Sequence, residues 1–468
     1  MAIDEFSVPE HVNKKLKDLG YTIDTNMETH IHSWFDWYSG DDEWYKVPFN
    51  DLEGRKRTRD RLSIRPAKRV AAEWASLLVT DDTTVTVEKE KANDWLQDFL
   101  QAANFWPTGQ LIVEKAFALG TAAWALWFDV RESETRVKIR RYDARMVRPL
   151  SWDEEGVSEC AFVTRVSAKG KRADQLQVHV VDEETGNYHI KTWQFVDGRE
   201  VDPERYGILE DFDTQQPVPT FGIIKPALEN TAVDLSPYGM SVFADAVDAI
   251  KAVDLAFDSM FQEVELTGAK VFVDEAMIDL KSKDGKLVPA PRVEGRLFRK
   301  MIGQDVTRNL IDIYSPQIRV EPLRQAFDVA LAELGELCGF GQQYFELDKA
   351  GGMKTATEVT SDNSALMRNI RKHENVLRGA IQRVVGSLLN CARIHCGAQI
   401  EEDFGIIEVQ FDDSVIVDTQ TEKNMALTEI AALQVPELKQ RYLRDWCGMS
   451  EEEAARAVPS AQVIDEGF

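Results

Sequence analysis

The chain of 468 residues contains few cysteines and no paired cysteine motif. Its five cysteines, at positions 160, 338, 391, 396 and 447, are odd in number and irregularly spaced, with no C-x-x-C among them. This pattern argues against both a disulfide framework and a zinc ribbon. A reducing, cytoplasmic setting fits it best.

Positive charge is also scarce, because 55 Lys and Arg stand against 80 Asp and Glu, a formal net charge of -25. A protein that grips nucleic acid over its whole surface needs clustered basic residues to displace counterions, so composition argues against that class. A protein that lets DNA pass by remains compatible with it. The hydrophobic content of 44% is typical of a globular chain, and the length allows roughly two to four domains.

Long apolar runs are missing as well. The uncharged and mostly apolar run AFALGTAAWALWF, from Ala116 to Phe128, is too short to cross a bilayer and is interpreted as a core helix running into a strand. The first residues, MAIDEFSVPEHVNKK, lack the basic and then apolar order of a signal peptide. We therefore expect no membrane contact.

Familiar catalytic motifs are absent: the sequence contains neither G-x-S-x-G nor H-E-x-x-H. Carboxylate pairs such as Asp412 and Asp413 do not stand out among 80 acidic residues. Cys391 and His395 are four residues apart and share a helix face, but two ligands do not make a metal site, and packing at a helix end is the favoured interpretation. We predict no catalytic residue, no metal ligand and no cofactor.

One stretch resembles a phosphate-binding loop: GGMKTATEV, from Gly351 to Val359. A Walker loop requires a glycine directly before its lysine, between a strand and a helix. Here Met353 precedes Lys354, and the apolar residues upstream repeat at helical spacing. The favoured interpretation is a flexible glycine loop, after which a helix starts at Thr355 or at the threonine two residues later, with Glu358 placed as in a capping box.

The order of patterns along the chain predicts an α+β fold. Residues 9–120 have mostly helical spacing, whereas residues 123–201 alternate in the manner of an antiparallel sheet, with ETGN as a hairpin turn. The segment GRKRTRDRLSIRPAKRVAAEWASLL concentrates positive charge. We interpret it as the solvated face of a helix whose other side carries Val70, Trp74 and Leu77; a nucleic-acid patch and contacts with an acidic neighbouring subunit stay open.

After the breaker SPYG, an apolar stripe from Phe243 to Val264 predicts a long amphipathic helix with an acidic opposite face that includes Asp254 and Asp258. A compact insertion follows, with a strand-like KVFVDEAMI, a lysine-rich turn KSKDGK, and then LFRKMI and NLIDIYSP; helical spacing resumes from Pro322 to Cys338. Beyond the glycine loop, the pattern predicts one helix of about 40 residues, roughly 60 Å long at 1.5 Å per residue. A strand-like IIEVQFDD comes next.

The stretch NTAVDLSPYGMSVFADAVDAIKAVDLAFDSMFQEVEL, followed much later by KTATEVTSDNSALMRNI, resembles the portal proteins of tailed bacteriophages, of the SPP1 and A118 type. The likeness extends from the early arginine-rich segment to FDDSVIVD, and its specific motifs are the P-x-G-x-S helix opening and the K-T-A-T-E-V loop exit. In that family a ring of subunits, typically a dodecamer, sits at one capsid vertex with DNA passing through its tunnel.

The resemblance implies a multi-domain portal fold with these parts: a wing (1–235), a stem helix (236–266), a clip (267–320), a second stem helix (321–340), a tunnel loop (341–355), a long helix towards the crown (356–400), and a C-terminal wing strand with a small helical crown (401–468). It also implies a location at the portal vertex of the virion, after assembly in the host cytoplasm.

The resemblance implies functional residues of three kinds. The DNA-tunnel loop would carry Lys349, Gly351, Gly352, Lys354 and Thr355; the tunnel wall, Asp254 and Asp258; and the clip contact surface, Lys281, Lys283, Arg299 and Lys300. Implied partners are double-stranded DNA, the terminase large subunit, head-completion or adaptor proteins, and the major capsid and scaffolding proteins. The alternative function is a phage-associated metal-dependent nuclease or NTPase.

Overall fold

The computed structural model combines antiparallel sheets with long helices that share a core, so the predicted α+β class is confirmed. The residues that the structure describes are 6–50, 54–131, 134–168, 170–267, 270–274, 281–283, 286–288, 297–300, 311–314, 317, 319–345, 356–411, 427–428, 430, 435–447, 449 and 451–458.

The first 120 residues are mainly helical, as predicted. The helices are α1 (Glu10–Asp18), α2 (Glu28–Ser39), α3 (Pro66–Leu78), α4 (Glu90–Ala102) and α5 (Phe105–Leu119). A hairpin of β1 (Lys46–Asn50) and β2 (Lys56–Asp60) separates α2 from α3, and β3 (Thr84–Val87) precedes α4.

The arginine-rich segment is not one helix, and that prediction is wrong. Its first part forms β2, and α3 begins only at Pro66. Directly before it Arg65 has φ 53°, a left-handed conformation that no helix continues through, whereas proline suits the first helical position. The prediction for the second part holds, since Val70, Trp74 and Leu77 are all buried.

Residues 122–224 form the sheets predicted from the alternating pattern. Strands β4 (Ala122–Arg131) and β5 (Glu134–Asp143) pair with each other, and a later strand joins the free edge of β4. An antiparallel meander follows: β6 (Val147–Asp153), β7 (Gly156–Ala168), β8 (Lys171–Val181), β9 (Tyr188–Val196) and β10 (Arg199–Val201), with β11 (Asp211–Asp213) also on β9 and β12 (Phe221–Ile224) on β4.

The next part of the chain consists of two helices separated by short strands. The elements are α6 (Val247–Thr267), β13 (Lys270–Asp274), β14 (Lys281–Lys283), β15 (Lys286–Val288), β16 (Leu297–Lys300), β17 (Ile311–Tyr314) and α7 (Val320–Leu337). Strand β13 pairs with β16 in parallel and with β17 antiparallel, while β14 and β15 form a hairpin. The strand predicted at KVFVDEAMI is confirmed over Lys270–Asp274.

Helix α6 begins later than the predicted boundary of 236. The preceding segment runs along the end of α5 instead: Val242 N–H donates to the carbonyl of Phe117, and Gly239 N–H donates to the hydroxyl of Thr121. A Cβ on Gly239 would lie 2.4 Å from the carbonyl oxygen of Gly120. Because these backbone groups bond across to α5 and β4, they are not available for a helix.

The C-terminal part begins with the predicted long helix, α8 (Ala356–His395), which spans 40 residues. Strand β18 (Ile407–Gln410) then pairs antiparallel with β3, joining distant parts of the sequence. Helices α9 (Pro436–Cys447) and α10 (Glu451–Ala457) follow. Among the described residues, no helix is both long and apolar enough to cross a membrane.

One apolar cluster joins α2, α3, α5, β4, α6, α7 and α8, and it includes the buried Trp74. The Trp74 ring centroid is 6.0 Å from that of Phe117, 4.6 Å from Phe340 and 4.7 Å from His373. Burial lowers the pKa of His373 to about 4, so this imidazole is neutral at pH 7. The paired helices α6 and α7 are thereby fixed to the sheet-bearing part of the chain.

Candidate functional site

Helices α6 and α7 lie antiparallel, with the β13–β17 segment at one end. At that end Arg319, the residue before α7, donates two hydrogen bonds to Glu263 of α6, from Nε to Oε1 and from Nη2 to Oε2, both at 2.9 Å. Further along, the rings of Phe257 and Phe327 face each other with centroids 6.2 Å apart. The ion pair therefore joins the end of α6 to the start of α7, the two points at which the chain enters and leaves the β13–β17 segment.

The outer surface of this helix pair is unusually apolar. Large apolar side chains with exposed fractions of 47% or more occur on both helices: Leu255, Phe261, Val264, Val320, Val329 and Leu337. Soluble monomers expose single apolar residues commonly, but a set on one helix pair indicates a contact surface. The structure therefore points to a partner for the α6–α7 helix pair.

Asp254 and Asp258 do not face solvent, so the prediction that they line a channel wall is wrong. Their exposed fractions are 0% and 3%. Asp254 accepts hydrogen bonds from the hydroxyls of Tyr45 and Ser63, both at 2.7 Å, and from the N–H of Ile64 at 3.0 Å. Since a buried carboxylate is costly unless it is hydrogen-bonded, these contacts allow it to point inward.

Asp258 lies one turn further along α6 and binds the same part of the chain. Arg59 donates to both of its oxygens, at 2.7 and 2.8 Å, and the N–H of Leu62 donates to Oδ1 at 3.1 Å. The hydrogen bond from Arg59 lowers the pKa of Asp258, whereas burial raises the pKa of Asp254. The two carboxylates thus act as acceptors that hold the base of the β1–β2 hairpin on α6.

The spacing of Asp254 and Asp258 is a sequence signal for this arrangement. Asp254 follows Ile250 by four residues and Asp258 follows by four more, which places both on the flank of the apolar stripe. Acidic side chains that do face solvent on α6 include Asp248 and Glu265. The roles of Tyr45, Arg59 and Ser63 could not be read from local spacing.

The five tunnel-loop candidates, Lys349, Gly351, Gly352, Lys354 and Thr355, lie outside the described residues. The elements on either side are α7 and α8. A phosphate-binding loop needs a strand before its helix, whereas the nearest preceding element among the described residues is the helix α7. The helical spacing predicted upstream is confirmed.

The chain that leads into this loop is anchored at several points. Trp74 Nε1 donates to the carbonyl of Cys338 at 3.0 Å, and Asn369 Nδ2 donates to the carbonyl of Gly339 at 2.8 Å. The hydroxyl of Tyr344 donates to Glu73 at 2.6 Å. The residues before the loop are consequently fixed to α3 and α8.

The clip candidates occupy two different strand pairs. Lys281 and Lys283 lie on β14, whereas Arg299 and Lys300 lie on β16. Strand β16 pairs with β13, and β14 pairs with β15. A common contact surface for all four remains a prediction.

Cys391 and His395 have separate partners. Gln216 Nε2 contacts Cys391 Sγ at 2.9 Å and Ser387 Oγ at 2.7 Å, while His395 Nε2 lies 3.0 Å from the carbonyl oxygen of Thr214. These contacts agree with packing at a helix end. Within the part of the chain that the structure describes, no group of three or more His, Cys, Asp or Glu could hold a metal ion.

One cavity, of about 500 Å³, is lined by residues 20–26 together with Leu150 and Trp152. Its lining contains one carboxylate, Asp24, which accepts a hydrogen bond from the N–H of Asn26. Two-metal phosphodiester chemistry requires ligands for a pair of cations about 4 Å apart. This cavity therefore gives no support to the alternative of a metal-dependent nuclease.

The chain is similar to one family of known proteins and to a solved structure. A family model described as phage portal protein, SPP1 Gp6-like, matches residues 21–454. No curated protein sequence matches the chain. Among solved structures, the chain is similar to one described as the neck of a native GTA particle computed with C12 symmetry. The identity is 13% over 85% of this chain and 89% of that chain, with a TM-score of 0.38.

Proposed function

The chain belongs to the SPP1 Gp6-like family of phage portal proteins, and on that premise we propose that its copies close into a ring that forms the DNA channel at one capsid vertex. The ring is a dodecamer, as is typical of the family. It serves genome packaging, head–tail joining and DNA ejection. It assembles in the host cytoplasm and remains in the virion.

The observation that supports this proposal is the set of exposed apolar side chains on α6 and α7. A side chain such as Val329, with 63% of its surface exposed, lowers the solubility of a monomer because it leaves apolar surface in contact with water. In a closed ring each copy presents one face to its neighbour and receives another, so every such surface is buried. The segments keep the roles proposed above: wing, stem helices, clip, tunnel loop and small crown.

The proposed channel transports DNA without holding it. Several Lys–phosphate contacts per subunit, multiplied around a ring, would bind the duplex tightly because each contact releases counterions. The exposed acidic side chains of α6, such as Asp248, keep the affinity of the wall low. Lys349 and Lys354 of the tunnel loop touch phosphates transiently.

The clip docks the packaging motor and later the head-completion proteins. Four basic positions on its strands, Lys281, Lys283, Arg299 and Lys300, provide contacts for the terminase large subunit and adaptor proteins. The wing and crown face the major capsid and scaffolding proteins. The chain itself supplies the passage, and ATP hydrolysis belongs to the terminase.

Negative-stain electron microscopy and mass photometry of the purified protein test the proposal. We expect rings with a central hole wide enough for duplex DNA and a mass that is an integral multiple of 53.1 kDa. A monomer or dimer that persists at all salt and protein concentrations, and in the presence of scaffolding protein, would contradict it.

A further inference from the structure

The β1–β2 hairpin, here called the arm, is almost wholly exposed. In β1 every residue except Val47 is exposed, and in β2 every residue except Arg59. Its two strands pair from Lys46 opposite Asp60 to Asn50 opposite Lys56. The arm therefore projects from the chain without contributing to a core.

An isolated two-stranded hairpin is marginally stable in water, so the arm depends on its anchor. Arg61 N–H donates to the carbonyl of Tyr45 at 2.8 Å and extends the ladder beyond the strands. Tyr45 and Arg59 then bond to Asp254 and Asp258 of α6. The structure thus fixes the base of the arm on α6.

The strand edge of the arm is unsuited to adding a further strand. Because Tyr45 and Arg61 form a hydrogen-bonded pair, ladder alternation turns the main-chain groups of residue 48 outward. That residue is Pro48, which has no N–H to donate. A strand added at the β1 edge would therefore lack a hydrogen bond at its middle residue.

The side chains of the arm are opposite in charge to the rest of the chain. Residues 46–61 contain six Lys and Arg against three Asp and Glu, whereas the whole chain has a net charge of -25. Two apolar residues accompany the charge, Phe49 with an exposed fraction of 48% and Leu62 with 47%. A basic surface with exposed apolar side chains complements an acidic protein surface.

We propose that the arm docks onto the acidic surface of a second copy of this chain, as a clasp between neighbouring subunits. This rests on the ring formation proposed above. Lys46 and Lys56 are exposed on the face of the arm opposite to that of Arg59, which binds α6, and they contact carboxylates of the neighbour. The three acidic residues within 46–61 and the exposed Phe49 favour a protein surface over DNA.

Two variants with matched charge changes test the arm. The first is Lys46→Glu with Lys56→Glu; the control is Lys171→Glu with Arg172→Glu, at the exposed β7–β8 turn. For the arm variant we expect half-assembly to require about a tenfold higher protein concentration, equivalent to about 1.4 kcal/mol. The control should assemble as the wild type does, and both variants should melt like it as monomers.

Carbodiimide cross-linking of rings assembled from a mixture of ¹⁴N- and ¹⁵N-labelled wild-type chains provides the direct readout. Links of mixed isotope that join Lys46 or Lys56 to a carboxylate would establish contact between subunits. Unchanged assembly of the arm variant without mixed links would overturn the inference and leave the ring intact. The inference would also be overturned if the arm variant assembled normally but no longer retained duplex DNA. Absence of rings in the wild type would overturn the proposed function and the clasp together.

Discussion

Arg59 on β2 and Asp258 on α6 form an ion pair with two parallel hydrogen bonds, of 2.7 and 2.8 Å, across 199 positions of sequence. The arginine is partly exposed, whereas the carboxylate is buried. Their pairing binds the hairpin to α6. The consequence is that the most basic part of the chain has its position set by one of the most acidic helices.

Replacing Arg59 with alanine should destabilise the protein. Asp258 would lose both bonds and stay buried as an uncompensated charge, which costs about 2 kcal/mol after allowance for the exposed side of the pair. Urea unfolding measures this. The control is Lys171→Ala, at the exposed first residue of β8, which should change the free energy of unfolding by less than about 0.5 kcal/mol. Equal effects would show that the pair contributes nothing.

The same pair predicts a dependence on pH. The pKa of Asp258 is lowered from 3.8 in the folded protein, so its contribution to stability is complete above that pH and is lost as the pH falls through the lowered value. We expect Asp258→Asn to reduce the free energy of unfolding most at pH 7, with a narrower gap to wild type at pH 3. A gap of constant size at both pH values would refute this.

Gly120 should tolerate no side chain. It has φ +80°, and an added Cβ would lie 2.4 Å from the carbonyl oxygen of Gly239, a backbone atom that cannot turn aside. Gly207 has a similar φ of +72° but nothing within 4 Å. Thermal unfolding should show a loss of about 1 kcal/mol for Gly207→Ala, from backbone strain alone. Gly120→Ala should lose at least twice as much, and a similar loss for both would contradict the close approach.

The pairing of β18 with β3 predicts a contrast between two nearby residues. Val409 is 4% exposed and lies opposite Val85, whereas Ile406 is 74% exposed. Val409→Asp buries a charge and should cost more than about 3 kcal/mol. Ile406→Asp should change stability little. Chemical denaturation of both variants measures the difference, and comparable losses would exclude the observed inward orientation of Val409.

Val329→Asp should prevent assembly without unfolding the chain, because the side chain is exposed on α7 in the monomer. A charge there would be desolvated in the proposed contact, at a cost of several kcal/mol. Mass photometry should show monomers for this variant. Val181→Asp, on an exposed residue of β8, is the control and should form rings. Rings of normal size from Val329→Asp would remove this face from the interface.

Much of the fold could be predicted because it depends on local spacing. The apolar repeat after the loop predicted α8 as one helix of about 40 residues, and the structure has 40. Alternation predicted the antiparallel sheet between β4 and β10, and the turn between β8 and β9 lies at the predicted ETGN. The period of the apolar residues shows which side of a helix or strand is buried, and it can be read without knowing which element packs against that side.

Tertiary structure decided the features for which sequence spacing gave two answers. By its spacing, Asp254 fitted both the acidic face of the helix and the flank of its apolar stripe. In the structure it is buried, because the hydroxyls of Tyr45 and Ser63, distant in sequence, donate hydrogen bonds to it. By spacing alone, residues 55–61 could have formed the start of the helix that follows them. The left-handed backbone of Arg65 prevents this, because a helix cannot continue through it. The sequence by itself determined the elements, the fold class and the family; contacts between remote residues decided which charges face solvent, because burial is a property of the partner surface as well as of the residue.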